Sequence, residues 1–388
     1  MPNFWRDRNV WGQLGHIGFV AFGLMLMQLN GCSWRAPTPS GAKSKPVQGG
    51  VQLSNVVLAQ TDTKGQLLWK FKAEGVSYGD NQQVATAKAI RGQLYDAGKP
   101  IFDVAAENGT LQQSNQQLQL KGNLQVMDRQ RKLTFRGRSA QWNPKSGLLQ
   151  VRNGLSAVSP KVQLWADNLQ ATQRGREIRV SGKVVMETRD RRIRLKTQQA
   201  IWHVDQQRFQ AGTAAVNGQQ PSVEIERLGS PTDKAIALAG EAQADLKSGI
   251  VTLSNPVRVQ LGQSPLTLTS QALTWDTVRQ RIFTQTLLQL EDPQHHVSIL
   301  ANQGTLDQTQ NRITLQGKVE VTRSQNPARL TSDELNWNTQ TQRIEAQGNV
   351  HYVQTSPPFD LRGPNAVGKI AEQTLQINGG NVVTEIIP

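Results

Sequence analysis

The chain of 388 residues is poor in several things at once. It has one cysteine, Cys32, so no disulfide can close within it and no cysteine-based metal site exists. Carboxylates number 29 against 43 lysines and arginines, too sparse for a convincing general-acid pair. The five histidines (16, 203, 295, 296 and 351) are scattered. His295-His296 follows Glu291-Asp292 and reads as a solvated turn in preference to a metal site. There is no Gly-x-Ser-x-Gly elbow, no glycine-rich phosphate loop and no His-Glu-x-x-His. No segment carries a convincing helical period. The chain is therefore expected to be non-catalytic, with no cofactor and no metal.

What is present begins with an address. Arg6 and Arg8 precede a short apolar run, Ile17 to Leu29, and then Asn30-Gly31-Cys32. A basic start and about a dozen apolar residues make a signal-peptide core, too short for a spanning helix of about 20 residues. Leu29-Asn-Gly-Cys32 resembles the bacterial lipobox, although Asn30 departs from its usual small residue. One reading makes residues 1–31 a lipoprotein-type signal peptide and Cys32 the acylated N-terminus; the other keeps an uncleaved signal anchor. Either places the protein outside the cytoplasm, anchored to a membrane. Residues 32–50 read as the lipidated cysteine and a Pro/Ser-rich flexible tether.

Beyond residue 50 the chain repeats itself. Leu306–Val321 and Trp337–Tyr352 share an anchor, a polar turn, Arg-Ile, alternation, Gly and alternation again. The frame fits anchors at Leu111, Trp142, Ala171, Trp202, Ala244, Trp275, Leu306, Trp337 and Gly368, spaced 31, 29, 31, 42, 31, 31, 31 and 31. Within a unit the period is two: Ile313, Leu315, Val319 and Val321 fall on one face, Thr314, Gln316, Lys318 and Glu320 on the other. A Gly or Asn midway supplies the positive φ of a bulge or bend. The expected fold is all-β, antiparallel, of about ten two-strand units of roughly 31 residues. Trp142, Trp202, Trp275 and Trp337 occupy one frame position and are expected to be packing pillars. With no helices to cover the apolar face, the sheet must cover itself. The long interval predicts a connecting loop over 215–240 between halves at 51–214 and 241–388.

The net charge of +14 is uneven. From Asp128 to Lys196 there are 17 basic residues and 5 acids, so 17 − 5 = +12 lies there. Arg129, Arg131, Arg136, Arg138, Arg189, Arg191, Arg192 and Arg194 are the candidate basic surface. Such a field attracts anionic partners or serves as a solvated face. Export and the lack of aromatics interleaved with the basic run argue against nucleic acid.

The tethered β units with their Arg-Ile, Gly and Val frame resemble the LptC/LptA/OstA family of lipopolysaccharide transport proteins. Gln52–Glu74, with Trp69, Phe71 and Ala73, is similar to the LptC opening. The resemblance covers 51–388, and this chain has more units than a typical LptC. It implies a β-jellyroll, a folded-over sheet with an apolar groove that holds acyl chains while the headgroup stays in water. The groove candidates are Leu118, Leu120, Leu124, Val126, Ile178, Val180, Ile313, Leu315, Val319, Val321, Ile344 and Val350. Implied partners are lipopolysaccharide, an inner-membrane ABC transporter of the LptB/LptF/LptG kind, and an LptA-like or outer-membrane LptD-like protein joined through sheet edges. Gln52–Leu58 and Val382–Ile387 are the candidate docking strands. The other reading is a non-catalytic envelope scaffold with a closed core and a basic contact surface.

Overall fold

The computed structural model describes residues 52–61, 64–79, 83–96, 98–112, 117–143, 148–172, 177–190, 193–212, 222–228, 235–261, 266–379 and 383–385. The signal segment, Cys32, the tether, Arg191 and Arg192 lie outside the described residues. The fold is all-β. Twenty-six strands among the described residues join in one sheet, and every pairing is antiparallel, between consecutive strands or, where a strand is broken near its middle, between strands up to three places apart.

The sheet covers itself by creasing. Nearly every long strand breaks register near its middle. Gly122-Asn123 bulge against Arg138, Gly182-Lys183 against Gln198, Gly317-Lys318 against Asp333 and Gly348-Asn349 against Pro364. Each is two residues opposite one, and both members of each pair have positive φ. The bulge bends the strand, and because it recurs at one level the bends line up as a fold across the whole sheet. The crease is close-packed at three of its glycines: a side chain at Gly122 would meet the Glu107 carboxylate, at Gly182 that of Asp167, and at Gly348 that of Asp333. Asn349 donates to Asp333 (2.8 Å) and Asn123 to Glu107. The midway glycine or asparagine of the sequence frame is thus the hinge of the fold.

Folding at the crease turns one face inward. In Gln117–Asp128 the buried positions are Leu118, Leu120, Leu124, Val126 and Asp128, while their neighbours are exposed or half-buried. The same alternation runs through Glu177–Thr188, Arg312–Arg323 and Arg343–Thr355. The inward residues form one continuous core from Trp69 to Ala366. Trp142, Trp202, Trp275 and Trp337 are buried next to their strand ends, as pillars should be.

The interval 215–240 is not a loop throughout, as its length and Gly/Pro content suggested. Val223–Arg227 is a strand bonded on both sides, to Ile193–Thr197 and to Ile236–Ala239, and Ala235–Asp245 begins inside the interval. The insertion interrupts one strand at the crease between Gly212 and Val223, and the ladder continues past it.

Candidate functional site: an apolar interior behind a seam of turns

Each half of the creased sheet ends in a row of turns, and the two rows are the lips of the folded structure. Their local chemistry is repetitive. In one lip, Asp276 opens a turn by accepting from the backbone N–H of Val278 (3.1 Å) and Arg279 (2.8 Å), and Gln280 closes it with positive φ. Asp245, Asp307 and Asn338 open equivalent turns, closed by Gly249, Asn311 and Gln342. The turns of a lip are stitched to each other by backbone bonds, Gln308 N–H to Gln280 O (3.1 Å) and Thr339 N–H to Asn311 O (2.9 Å) among them. The carboxyl groups of Asp276 and Asp307 are held below the usual carboxylate range. For Asp276 the first cause is the Arg279 N–H, and for Asp307 it is the Thr309 hydroxyl. In the opposite lip Asp292 accepts from Gln294 and His295 N–H, and its second oxygen lies 2.6 Å from His295 Nδ1. Among the described residues no cluster of His, Cys, Asp or Glu could hold a metal.

The lips touch. Arg131 reaches Asp205 (2.7 Å), Lys161 Nζ donates to Leu246 O (3.0 Å), Arg227 to Gln308 (2.6 Å) and Asn326 to Gln373 (3.3 Å). These pairs are 47 to 85 residues apart in the chain and belong to no ladder. Between the ties the seam has openings. One, about 340 Å³, lies between Lys161 and Arg189 of one lip and Leu246, Lys247 and Val278 of the other. Its apolar lining includes Met186, Ile193 and Val251, residues of the core. A second, about 70 Å³, sits at the C-terminal end beneath Arg323 and Lys369, lined by Val321, Leu330, Ile344, Tyr352 and Leu375.

The sequence-derived groove residues therefore share one place. Leu118, Leu120, Leu124, Val126, Ile178, Val180, Ile313, Leu315, Val319, Ile344 and Val350 are inward and buried. Val321 is half-buried, because it borders the C-terminal opening. The interior is filled by these side chains: a void beside Leu268, Ile313 and Leu315 measures only about 10 Å³.

Three of the described basic candidates are engaged by carboxylates. Arg129 is paired with Asp103, Arg131 with Asp128 and Asp205, and Arg194 with Glu187 and Glu226. The carboxylates come from other strands, so a count along the chain overstates the free charge. Arg136 and Arg138 point outward, and Arg189 borders the larger seam opening. What sequence reasoning missed lies on the outer face of the first strands. The register aligns Lys72 with Arg91, Arg91 with Ala105, Ala105 with Gln125 and Gln125 with Arg136. A period-two reading marks each as outward, but only the register brings them together.

The site is thus a folded antiparallel sheet with a one-sided apolar interior behind polar turns. The sequence model of the LptC-related lipopolysaccharide-assembly family matches residues 20–186 and 286–377, more than half of the chain, and the chain belongs to that family. The family is one of non-catalytic proteins of lipopolysaccharide transport in the cell envelope. Among solved structures the chain is similar to LptH of Pseudomonas aeruginosa, described as the LptA homologous periplasmic component of the conserved lipopolysaccharide transport device. That similarity has 14% identity and a TM-score of 0.18, over 40% of this chain and 82% of that one. No curated protein matches the chain.

Proposed function

We propose that the protein is a membrane-anchored periplasmic segment of the lipopolysaccharide export path, which takes acyl chains into its creased interior through the seam. The observation that carries this reading is the unbroken apolar face running the length of the sheet behind lips held by a few polar contacts. Each acyl methylene moved from water to such an interior contributes about 0.8 kcal/mol. Phosphates and sugars remain outside, since burying them unpaired is costly. Near-equivalent units give near-equal binding along the path, so direction comes from an ATP-driven partner, an inner-membrane ABC transporter of the LptB/LptF/LptG kind.

The ends support docking by strand addition. Among the described residues Gln52–Thr61 is bonded on one side only, to Leu67–Ser77, and it exposes Leu53 and Val57. At the other end Val383–Glu385 pairs with Asp360–Arg362, while 382, 386 and 387 lie outside the described residues. We assign the first edge to the transporter side and the second to an LptA-like or LptD-like partner. The halves 51–214 and 241–388 then act as two jellyrolls on one ladder, anchored through Cys32 or an uncleaved signal segment.

A second reading has an observation of its own: the interior is packed with side chains, as a closed scaffold would be. Photocrosslinkers at Leu315 and Val319, both buried, separate the two, with Thr314 and Gln316 on the outer face as controls. Lipopolysaccharide adducts at the inward pair alone, dependent on cellular ATP, are expected. Silence at the inward pair with protein adducts at the outward pair would sink the conduit and leave the scaffold.

A further inference from the structure

A broad hollow lies away from the seam. It lies on the outer face of Leu67–Tyr78, Val84–Asp96, Lys99–Gln112 and Gln117–Asp128, with a volume of about 710 Å³. Four strands at a spacing of about 4.8 Å make it roughly 14 Å across. Lys70 and Lys72 form one wall, Gln125 and Met127 the other, and the small side chain of Ala105 leaves the floor low.

Its charge is lopsided. Lys70, Lys72 and Arg91 make no ion pair among the described residues. The acid on its floor, Asp103, is already engaged: Arg129 donates to it, as does Gln93 (3.1 Å), and the Arg129 bond is the first cause of its lowered pKa. The Tyr95 hydroxyl donates to Gln93 (2.9 Å), so a line of neutral hydrogen-bonding groups runs beside three free cations.

We propose that this hollow binds the phosphorylated sugar headgroup of a glycolipid. Arg91 presents a planar fork suited to a phosphate, and the two lysines add point charges on the same side. Gln93, Tyr95 and Gln125 supply the amide and phenol groups that hydroxyls need. A phospholipid leaflet is flat and meets the rim of a hollow, not its floor. The position fits as well. Met127 stands next to Asp128, which holds Arg131, the residue that crosses the seam to Asp205. A headgroup whose chains enter near that end of the seam drapes over the lip onto this face. The inference rests on the lipid-conduit reading for the identity of the ligand.

The probe is lipopolysaccharide stripped of all its acyl chains, with phosphates retained, titrated calorimetrically against the full chain in detergent. Saturable binding is expected that weakens with salt, and the combined variant K70Q/K72Q/R91Q should lose about tenfold or more in affinity. Lys318→Gln, a crease lysine far along the sheet, should bind as the parent does. Melting temperatures of both variants check that the fold is intact. No binding by the parent, an unchanged affinity in the triple variant, or equal loss with dephosphorylated sugar would overturn the proposal. So would competition by anionic phospholipid vesicles equal to that of the sugar, which would make the face a leaflet contact. Because the probe carries no acyl chain, failure here leaves the interior crosslinking result standing, and the reverse also holds.

Discussion

Arg131 Nε lies 2.7 Å from Asp205 Oδ1 across the mouth of the folded sheet, joining two turns 74 residues apart. With Lys161 to Leu246 O, it closes the lips over an interior that no backbone ladder closes. Partly exposed pairs of this kind are worth about 0.2–1 kcal/mol, so they hold the seam shut and still let it part. The double variant R131A/K161A should lower unfolding free energy by no more than about 1–2 kcal/mol. It should nonetheless speed uptake of a fluorescent lipopolysaccharide from donor vesicles. Arg279→Ala, which removes a pair within one lip, is the control and should leave uptake unchanged. Equal uptake in all three proteins would remove the seam as the route of entry.

The crease makes a separate demand. Gly348 sits at φ 74° with the Asp333 carboxylate against its open side, whereas Gly154, at φ 88°, faces empty space. Both alanine variants carry the left-handed strain of about 1 kcal/mol. Only Gly348→Ala must also push aside Asp333 and its bond from Asn349. Chemical denaturation should therefore rank Gly348→Ala as the more damaging by about 1 kcal/mol, and Asp333→Ala should recover part of that difference when combined with it. Equal costs would mean that the carboxylate moves freely.

The tryptophan pillars separate packing from hydrogen bonding. The indole N–H groups of Trp202, Trp275 and Trp337 are buried with no partner among the described residues, whereas that of Trp69 donates to Gln60 (2.7 Å). Trp275→Ala should cost about 3–5 kcal/mol as a large cavity opens. Trp275→Phe loses volume but no hydrogen bond, and should cost much less. A phenylalanine variant as damaging as the alanine one would point to a bond that this packing does not contain.

Much of this architecture is legible in the sequence. Alternation in Ile313–Val321 fixed which side chains face inward, and the recurrent Gly or Asn marked the crease, because positive φ leaves a composition signature. The Asp or Asn at these strand ends and the positive-φ residue four positions on recur too, yet their role as turn openers and closers emerges only from the backbone bonds they make. Charge was the misleading signal. Arg129 and Arg194 look free along the chain, yet Asp103, 26 residues from Arg129, and Glu187 and Glu226, 7 and 32 residues from Arg194, neutralise them. The free cations of Lys70, Lys72 and Arg91 gather only through a register that no local pattern states. Gln219-Gln-Pro-Ser222 and Gly229-Ser-Pro-Thr-Asp233 punctuate 215–240 as turns do, while Val223-Glu-Ile-Glu-Arg227 between them alternates and pairs.

Asp276 gives the turns a pH signature. Its carboxylate is buried beneath the turn and accepts from two backbone N–H groups and from Arg279, which holds its pKa below the ordinary value near 3.8. A group whose folded pKa is depressed stabilises the fold at any pH above its unfolded value. That contribution is lost as pH falls through the folded pKa. Asp276→Ala leaves both N–H groups short of an acceptor and should cost about 1–3 kcal/mol at pH 7. The gap between parent and variant should hold constant down to about pH 5 and narrow below pH 4. Asp307, depressed by the Thr309 hydroxyl and by Arg281, should behave alike. Thermal unfolding of the parent and both variants across that range measures the gap directly. A gap that widened on acidification would mean that the carboxylate is bound better in its protonated form, against the bonds this turn makes.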